Sequence, residues 1–201
     1  ASKTPTVERI EQSVRYAKRG NKFASLMDLL NGKNVDRAIV FTRTKHGANG
    51  LAKKLDRAGI AATAIHGNKS QAARVRALSD FKDGKIAALV ATEVASRGLD
   101  IKELPQVVNY ELPNVPEDYV HRIGRTARAG RDGSAVAFCS PEEAKLLRQI
   151  ERLTGLEVPR AGSDGSEHEH ATATPPKRGQ GRGKGNLNAQ GRPKKKNNAN
   201  R

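Results

Sequence analysis

The chain has 201 residues, with 37 Lys and Arg against 21 Asp and Glu and a formal net charge of +16, which suits one domain of ordinary size plus an appendage. A surface this basic concentrates polyanions, with nucleic acid the leading partner and an anionic membrane its competitor. No apolar run approaches the roughly 18–20 residues that span a bilayer, and no signal-peptide pattern opens the chain, so a cytoplasmic protein with no membrane contact is expected. The single cysteine, Cys139, lies in the apolar run Ala135 to Cys139 and reads as a buried, inert thiol. His46, His66 and His121 are scattered singly, and His168 and His170 sit in a polar segment, so no metal site is expected.

In chain order, Glu8 to Tyr16 alternates, with Ile10, Val14 and Tyr16 on one side and Glu11, Ser13 and Arg15 on the other, the pattern of a half-exposed edge strand. After Gly20-Asn21, the residues Phe23, Leu26, Met27 and Leu30 recur at helical spacing until Asn31-Gly32. Ala38 to Phe41 is a continuous apolar run suited to a strand buried on both faces. A helix follows, with Ala48, Leu51, Ala52 and Leu55 as its stripe and Gly59 as its stop. The unit then repeats as strand Ala61 to Ile65, loop His66 to Lys69, helix Ser70 to Asp83 anchored by Val75, Leu78 and Phe81, and strand Ile86 to Ala91. Strand Gln106 to Tyr110 leads through Pro113 and Pro116 into another helix, and Arg131-Asp132-Gly133 turns the chain into strand Ser134 to Cys139. Ser140, Pro141 and Glu143 then form a capping-box pattern for the last helix.

Strands alternating with helices of this length predict a three-layer α/β domain around a mainly parallel sheet, over residues 7–158 after a linker at 1–6. Ligands of such sheets bind at the carboxyl ends of the strands, where the polar loops 42–46, 66–70, 92–100 and 111–118 all fall. Residues 159–201 are expected to be a disordered basic tail, since so few large apolar residues cannot offset the entropy of ordering. From Ala161 onward the tail holds nine Lys and Arg against three Asp and Glu, which suits a flexible tether gripping nucleic-acid phosphates without reading bases.

The segment His121 to Gly130 places arginines at 122, 125 and 128. In a helix each three-residue step turns about 300°, so the three guanidinium groups would share a broad face. Guanidinium presents a rigid fork of donors that matches phosphate oxygens and stays charged at any working pH. No G-x-x-x-x-G-K-[ST] segment occurs, and no G-x-G-x-x-G follows a strand, so the chain has arginines for phosphate but no phosphate cradle. An arginine acting on a nucleotide held elsewhere is the finger arrangement, in which guanidinium neutralises charge developing on the transferred phosphoryl group.

Four blocks in order carry a family resemblance. Ile39-Val40-Phe41-Thr42-Arg43-Thr44 looks like motif IV, His66-Gly67 with Gln71-Ala72-Ala73-Arg74 like the Q-x-x-R region, Val90 to Asp100 like motif V, and His121 to Gly130 like motif VI. Together they make residues 7 to about 155 resemble the C-terminal RecA-like domain of DEAD-box ATP-dependent RNA helicases, in the flavour of the bacterial RhlE-like group. The resemblance implies that Arg122 and Arg125 approach the ATP γ-phosphate, with Arg125 the better candidate finger. It implies that Asp100 accepts a hydrogen bond from the ribose, while Gly98 keeps that backbone close to the nucleotide. Thr42, Arg43, Gly67, Arg74 and Thr92 match positions that hold the RNA backbone, and Gln71, Glu93, His121 and Arg128 match positions that couple the two sites. A plain structural role for His121 stands equally open. ATP with Mg2+ would be held mainly by an N-terminal RecA-like domain, whose Walker A and Asp-Glu-Ala-Asp segments do not occur in this sequence.

Three positions depart from the family pattern: Glu93 and Asn68 stand where aspartate is usual or frequent, and Ala127 where glycine is common. Glu93 keeps the charge with an extra methylene, so its direct partner is expected to shift. The competing functions are a non-catalytic RNA-binding module and half of a DNA-directed helicase of the same superfamily. Arg97-Gly98-Leu99-Asp100 argues against the first, because an RNA grip alone needs no ribose-reading carboxylate.

Overall fold

Strand β2 (Ala38–Phe41) sets the layering, since all four of its residues are buried. Successive side chains of a strand point to opposite faces, so Ala38 and Val40 enter one apolar cluster while Ile39 and Phe41 enter another. Strand β4 (Ala88–Ala91) divides in the same way, Ala88 and Val90 from Leu89 and Ala91. The computed structural model describes residues 10–32, 35–96, 104, 106–126 and 133–161. With β1 (Ile10–Tyr16), β3 (Ala62–Ile65), β5 (Gln106–Asn109) and β6 (Gly133–Cys139), these strands form a six-stranded sheet in the order β1-β6-β5-β2-β4-β3. Every pairing is parallel.

Helices α1 (Lys22–Leu30) and α2 (Lys45–Arg57) cover the Val40 face, burying Leu26, Leu29, Ala48, Leu51 and Leu55. Helices α3 (Gln71–Lys82), α5 (Pro116–Ile123) and α6 (Ala144–Thr154) cover the Phe41 face with Ala77, Phe81, Tyr119, Ile123, Leu147 and Ile150. Between β4 and β5 lies the single turn α4 (Glu93–Ser96). The three-layer α/β arrangement with a parallel sheet is the one expected from the hydrophobic periods. β1 is an edge strand, and the α2 stripe is the predicted set Ala48, Leu51, Ala52 and Leu55.

One anchor moves. Val75 is 57% exposed and α3 is held instead by Ala77 and Phe81, with Leu78 partly buried. A 75-78-81 stripe drifts about 60° per step around a helix, whereas positions 77 and 81 lie one above the other. The caps follow the side-chain chemistry: Thr44 Oγ1 accepts from Gly47 N–H at 3.0 Å and Ser70 Oγ from Ala73 N–H at 3.2 Å. Gly155 ends α6 at φ +67°, a left-handed cap that glycine adopts without strain. The capping pattern at 140–143 closes a 3₁₀ turn (Pro141–Glu143) that precedes α6, where the Glu143 carboxylate accepts the Ser140 N–H at 3.0 Å.

The ordered chain continues past residue 158. Val158 is buried in the core, Val14 N–H donates to Pro159 O at 2.7 Å, and Ala161 N–H donates to Val14 O at 2.9 Å. This segment runs parallel to β1 along its outer edge, through the Val14–Arg160 bridge, and satisfies backbone groups that an edge strand leaves open. At the start of β6, a Cβ on Gly133 would lie 2.1 Å from Thr126 Oγ1 and 2.6 Å from Thr126 O, so the chain closes there only with glycine. Cys139 is buried, and that burial pushes its thiol up to about 12, too high to supply a thiolate at neutral pH. No helix among the described residues is long and apolar enough to cross a membrane.

Candidate functional site

The polar loops leave the sheet at its carboxyl edge. β2 and β5 are neighbours, but the chain leaves β2 toward β3 on one side and leaves β5 toward β6 on the other, so their connections diverge at this point, the place where open α/β sheets hold ligands.

Arg122 occupies the centre of this edge. It lies in the last turn of α5 and is 2% exposed, with its guanidinium 4.9 Å from the Phe41 ring centroid. Nε donates to Glu93 Oε2 at 3.0 Å, and Nη1 donates to Asn109 Oδ1 and to Glu111 O, each at 3.0 Å. Burial lowers the guanidinium's pKa from its ordinary value, and the hydrogen bond and charge of Glu93 oppose that pull. The longer acid at position 93 thus has a direct partner in Arg122 Nε, 29 residues away along the chain.

The expected arginine face does not form as a helix. α5 ends at Ile123, with Gly124 as its C-cap, so only Arg122 of the three arginines is helical among the described residues. Arg125 sits in the turn that follows, half-buried, its N–H on Arg122 O at 3.1 Å and its carbonyl accepting from Leu104 N–H at 3.3 Å. Thr126 Oγ1 donates to Leu104 O and pins the same turn from the next position. Arg128, Ala127, Gly98 and Asp100 lie outside the described residues. His121 is exposed, with Nδ1 3.8 Å from Asp118 Oδ1. The ligand atoms of Glu93, Asp118 and His121 all lie within 4.8 Å of one another, but Glu93 already faces the Arg122 cation, which works against a metal ion there.

The residues matched to the RNA backbone line the same edge. Thr42 is buried and donates its hydroxyl to Thr44 O at 3.3 Å. Arg43 is tied at its main chain, where Glu111 Oε2 accepts its N–H at 2.8 Å, while its guanidinium stays partly exposed. Gly67 is exposed and nothing lies within 4 Å of where its Cβ would be, so a ligand can approach its backbone. Arg74 donates to Gln71 Oε1 and to Ala95 O, each at 3.1 Å, which ties α3 to α4. Thr92, buried, directly follows β4, with its N–H on Ile65 O at 3.2 Å. Asn68, at the tip of the 66–70 loop, is exposed.

Sequence reasoning missed a second set of residues beneath this edge. Lys22 is 3% exposed; its Nζ pairs with Glu143 Oε2 and donates to Tyr110 O at 2.9 Å and Phe138 O at 3.1 Å. Glu143 Oε1 accepts Leu112 N–H at 3.2 Å and stands 3.6 Å from Arg43 Nη2. Nothing in the local pattern separates Lys22 from the solvated lysines near it, and Glu143 reads only as a capping residue. Asn109 and Glu111 were findable solely as polar residues at the carboxyl end of a strand.

A six-stranded parallel sheet covered on both faces, with arginines and hydroxyls gathered on its carboxyl edge, defines a RecA-like α/β domain. Residues 21–130 match the helicase conserved C-terminal domain family. Among curated relatives, the chain is 46% identical over 159 residues to the DEAD-box ATP-dependent RNA helicase CshA of Bacillus subtilis, covering 79% of this chain and 32% of that protein. Among solved structures, it resembles the E. coli DEAD-box protein SrmB bound to regulator of ribonuclease activity A, at TM-score 0.71 and 37% identity over 76% of this chain and 90% of that one. It also resembles S. cerevisiae Dbp5 bound to RNA and ADP BeF3, at TM-score 0.70 and 34% identity over 76% of this chain and 41% of that one. The chain belongs to the helicase conserved C-terminal domain family, as the domain occurs in DEAD-box RNA helicases. It spans about a third of the length of the curated relatives it matches.

Proposed function

We propose that this chain is the C-terminal half of an RNA-dependent ATPase that separates or remodels short RNA duplexes. The observation that carries the proposal is the arrangement at the carboxyl edge: Arg122 is clamped by Glu93, Asn109 and Glu111 O, Arg125 follows it on a pinned turn, and Arg43, Gly67 and Thr92 lie on the same edge. The chain offers guanidinium groups to a phosphate and has no amide cradle in its sequence to hold one. ATP with Mg2+ is therefore placed mainly on an N-terminal RecA-like domain, with this domain closing over the γ-phosphoryl group. Arg122 and Arg125 both serve that group. The geometry favours Arg125 as the one that touches it, because Arg122 spends its Nε and Nη1 donors within the domain, and its carbonyl accepts the N–H of Arg125 and so holds the turn that carries it. Gly98 and Asp100 are assigned to the nucleotide, and Thr42, Arg43, Gly67, Arg74 and Thr92 to the RNA backbone. Gln71, Glu93, His121 and Arg128 are assigned to coupling between the two. The buried hydroxyl of Thr42 would serve RNA through the main chain it holds. Domain closure around both ligands is the gating step, and release follows hydrolysis.

Support for RNA as the polyanion comes from the relatives, which are named RNA helicases, and from a Dbp5 structure that contains RNA. Within the family the finer RhlE-like placement is a proposal of the motif wording alone, and the curated relatives carry the name CshA. A cytoplasmic location belongs to the same proposal. The test is to join the chain to a DEAD-box first domain and measure ATP turnover with single-stranded RNA and with DNA. RNA-stimulated turnover is expected in the joined protein and negligible turnover in the 201-residue chain by itself. RNA-stimulated turnover by the chain alone would contradict the division of labour, and equal stimulation by DNA would favour the DNA-directed alternative.

The basic tail is proposed as a non-specific RNA tether. Removing residues 162–201 leaves the Ala161 bond to Val14 in place and takes away nine Lys and Arg. The expected result is weaker binding to single-stranded RNA and a shallower dependence of affinity on salt, because fewer counterions are released. A salt slope equal to that of the complete chain would return the tail to a solubilising role.

A further inference from the structure

We propose that the Glu111 carboxylate sets the strength with which Arg43 grips the RNA backbone, by occupying that arginine's charge when no phosphate is present. The inference rests on the RNA-backbone role given to Arg43 above. The Arg43 guanidinium faces three oxygens and is seated on none of them: Asn114 Oδ1 at 3.5 Å, Glu143 Oε1 at 3.6 Å and Glu111 Oε1 at 3.8 Å. A well-formed guanidinium–carboxylate bond is about 2.7–2.9 Å, so the group is attracted by charge and remains available. Its side chain is 32% exposed. A backbone phosphate offering two oxygens at normal distance would draw it outward.

Of the two carboxylates, Glu143 is already matched by the buried Lys22. Glu111 is the one whose charge is spent on Arg43, and its side chain, 22% exposed, lies at the surface beside it. Its placement is rigid. The Glu111 N–H donates to Phe41 O at 3.2 Å, its carbonyl accepts Arg122 Nη1 at 3.0 Å, and its Oε2 holds the Arg43 N–H at 2.8 Å. One residue therefore joins the arginine of the nucleotide side through its carbonyl to the arginine of the RNA side through its carboxylate. An incoming phosphate meets a guanidinium whose field Glu111 partly cancels, which keeps the grip weak enough to release.

The test is fluorescence anisotropy of labelled single-stranded oligouridine with the full chain across a KCl series, the fold of each variant being checked by circular dichroism. Glu111→Gln keeps an oxygen for the Arg43 N–H and removes the charge. It is expected to bind about three- to tenfold tighter, because the Arg43 guanidinium no longer shares its charge with the carboxylate beside it. The magnitude of its salt slope should rise by about 0.7, the value for one further single-strand phosphate contact. Glu111→Asp keeps the charge and should stay within about twofold of the unmodified chain. In an Arg43→Ala background the Gln substitution should have no effect. Unchanged or weaker binding by Glu111→Gln overturns the proposal, as does a parallel change in Gln and Asp, or a gain that survives Arg43→Ala. If the unmodified chain binds no oligouridine, the RNA role of the domain fails. If Arg43→Ala binds as the unmodified chain does, the role of Arg43 fails, and either result removes the present inference with it.

Discussion

Arg125→Lys, in this domain joined to a DEAD-box first domain, is expected to lower RNA-stimulated ATP turnover on the order of 10³-fold, the scale of an arginine finger's contribution. The RNA affinity of the same variant should change by no more than about twofold, because lysine keeps the positive charge that phosphate contacts need. The separation follows from where Arg125 sits. Its backbone is fixed by Arg122 O and Leu104 N, and Thr126 Oγ1 holds Leu104 O from the next position, so the substitution removes a planar fork of donors and leaves the turn in place. Arg122 behaves differently. Replacing it would leave Glu93 and Asn109 facing each other in a buried site without the cation that joins them, so both activity and stability should fall. Turnover is measured under saturating RNA and ATP, with RNA affinity read separately by anisotropy. Equal loss of turnover and RNA binding in Arg125→Lys would favour a non-catalytic RNA-binding module.

Lys22→Met is expected to destabilise the domain by about 3–5 kcal/mol, the usual cost of removing one partner of a buried ion pair. Methionine fills the volume but leaves the Glu143 carboxylate, 3% exposed, without its closest cation, and it leaves Tyr110 O and Phe138 O without the Nζ donor. Lys22 belongs to α1, Tyr110 follows β5, Phe138 is in β6 and Glu143 closes the 3₁₀ turn, so the contact joins four segments at the carboxyl edge. Urea unfolding followed by circular dichroism should show a lower midpoint at similar slope. A loss under about 1 kcal/mol would mean that the ammonium's desolvation cancels its attraction to Glu143. Arg43 lies on this network through Glu143, so RNA affinity should fall in the same variant even where it remains folded.

Both substitutions fall where local pattern was least informative. By spacing alone the arginines at 122, 125 and 128 are equivalent, one evenly spaced run that only the family resemblance divides into roles. In the fold, Gly124 stops the helix after Ile123, so Arg122 points into the domain and Arg125 falls on a turn. Glu93 was legible as a departure by one methylene, but its partner was not, since that depends on α4 and α5 meeting at the ends of neighbouring strands. Lys22 carries no local sign of burial, because lysine is almost always solvated and the acid that holds it lies 121 residues away.

What the sequence determines by itself is whatever repeats at short range. Alternation marked the first strand, short apolar runs and turn residues marked the others, the 3.6-residue period marked the helices, the run Ala38 to Phe41 marked a strand covered on both faces, and the polar loops that follow the strands pointed to the carboxyl edge. The strand order, the burial of Arg122 and Lys22, the loose seating of Arg43 between Glu111 and Glu143, and the pairing of 159–161 with β1 were decided only by tertiary structure. The reason is physical: a buried charge persists only beside its counter-charge, and which residues become neighbours depends on which distant strands pair.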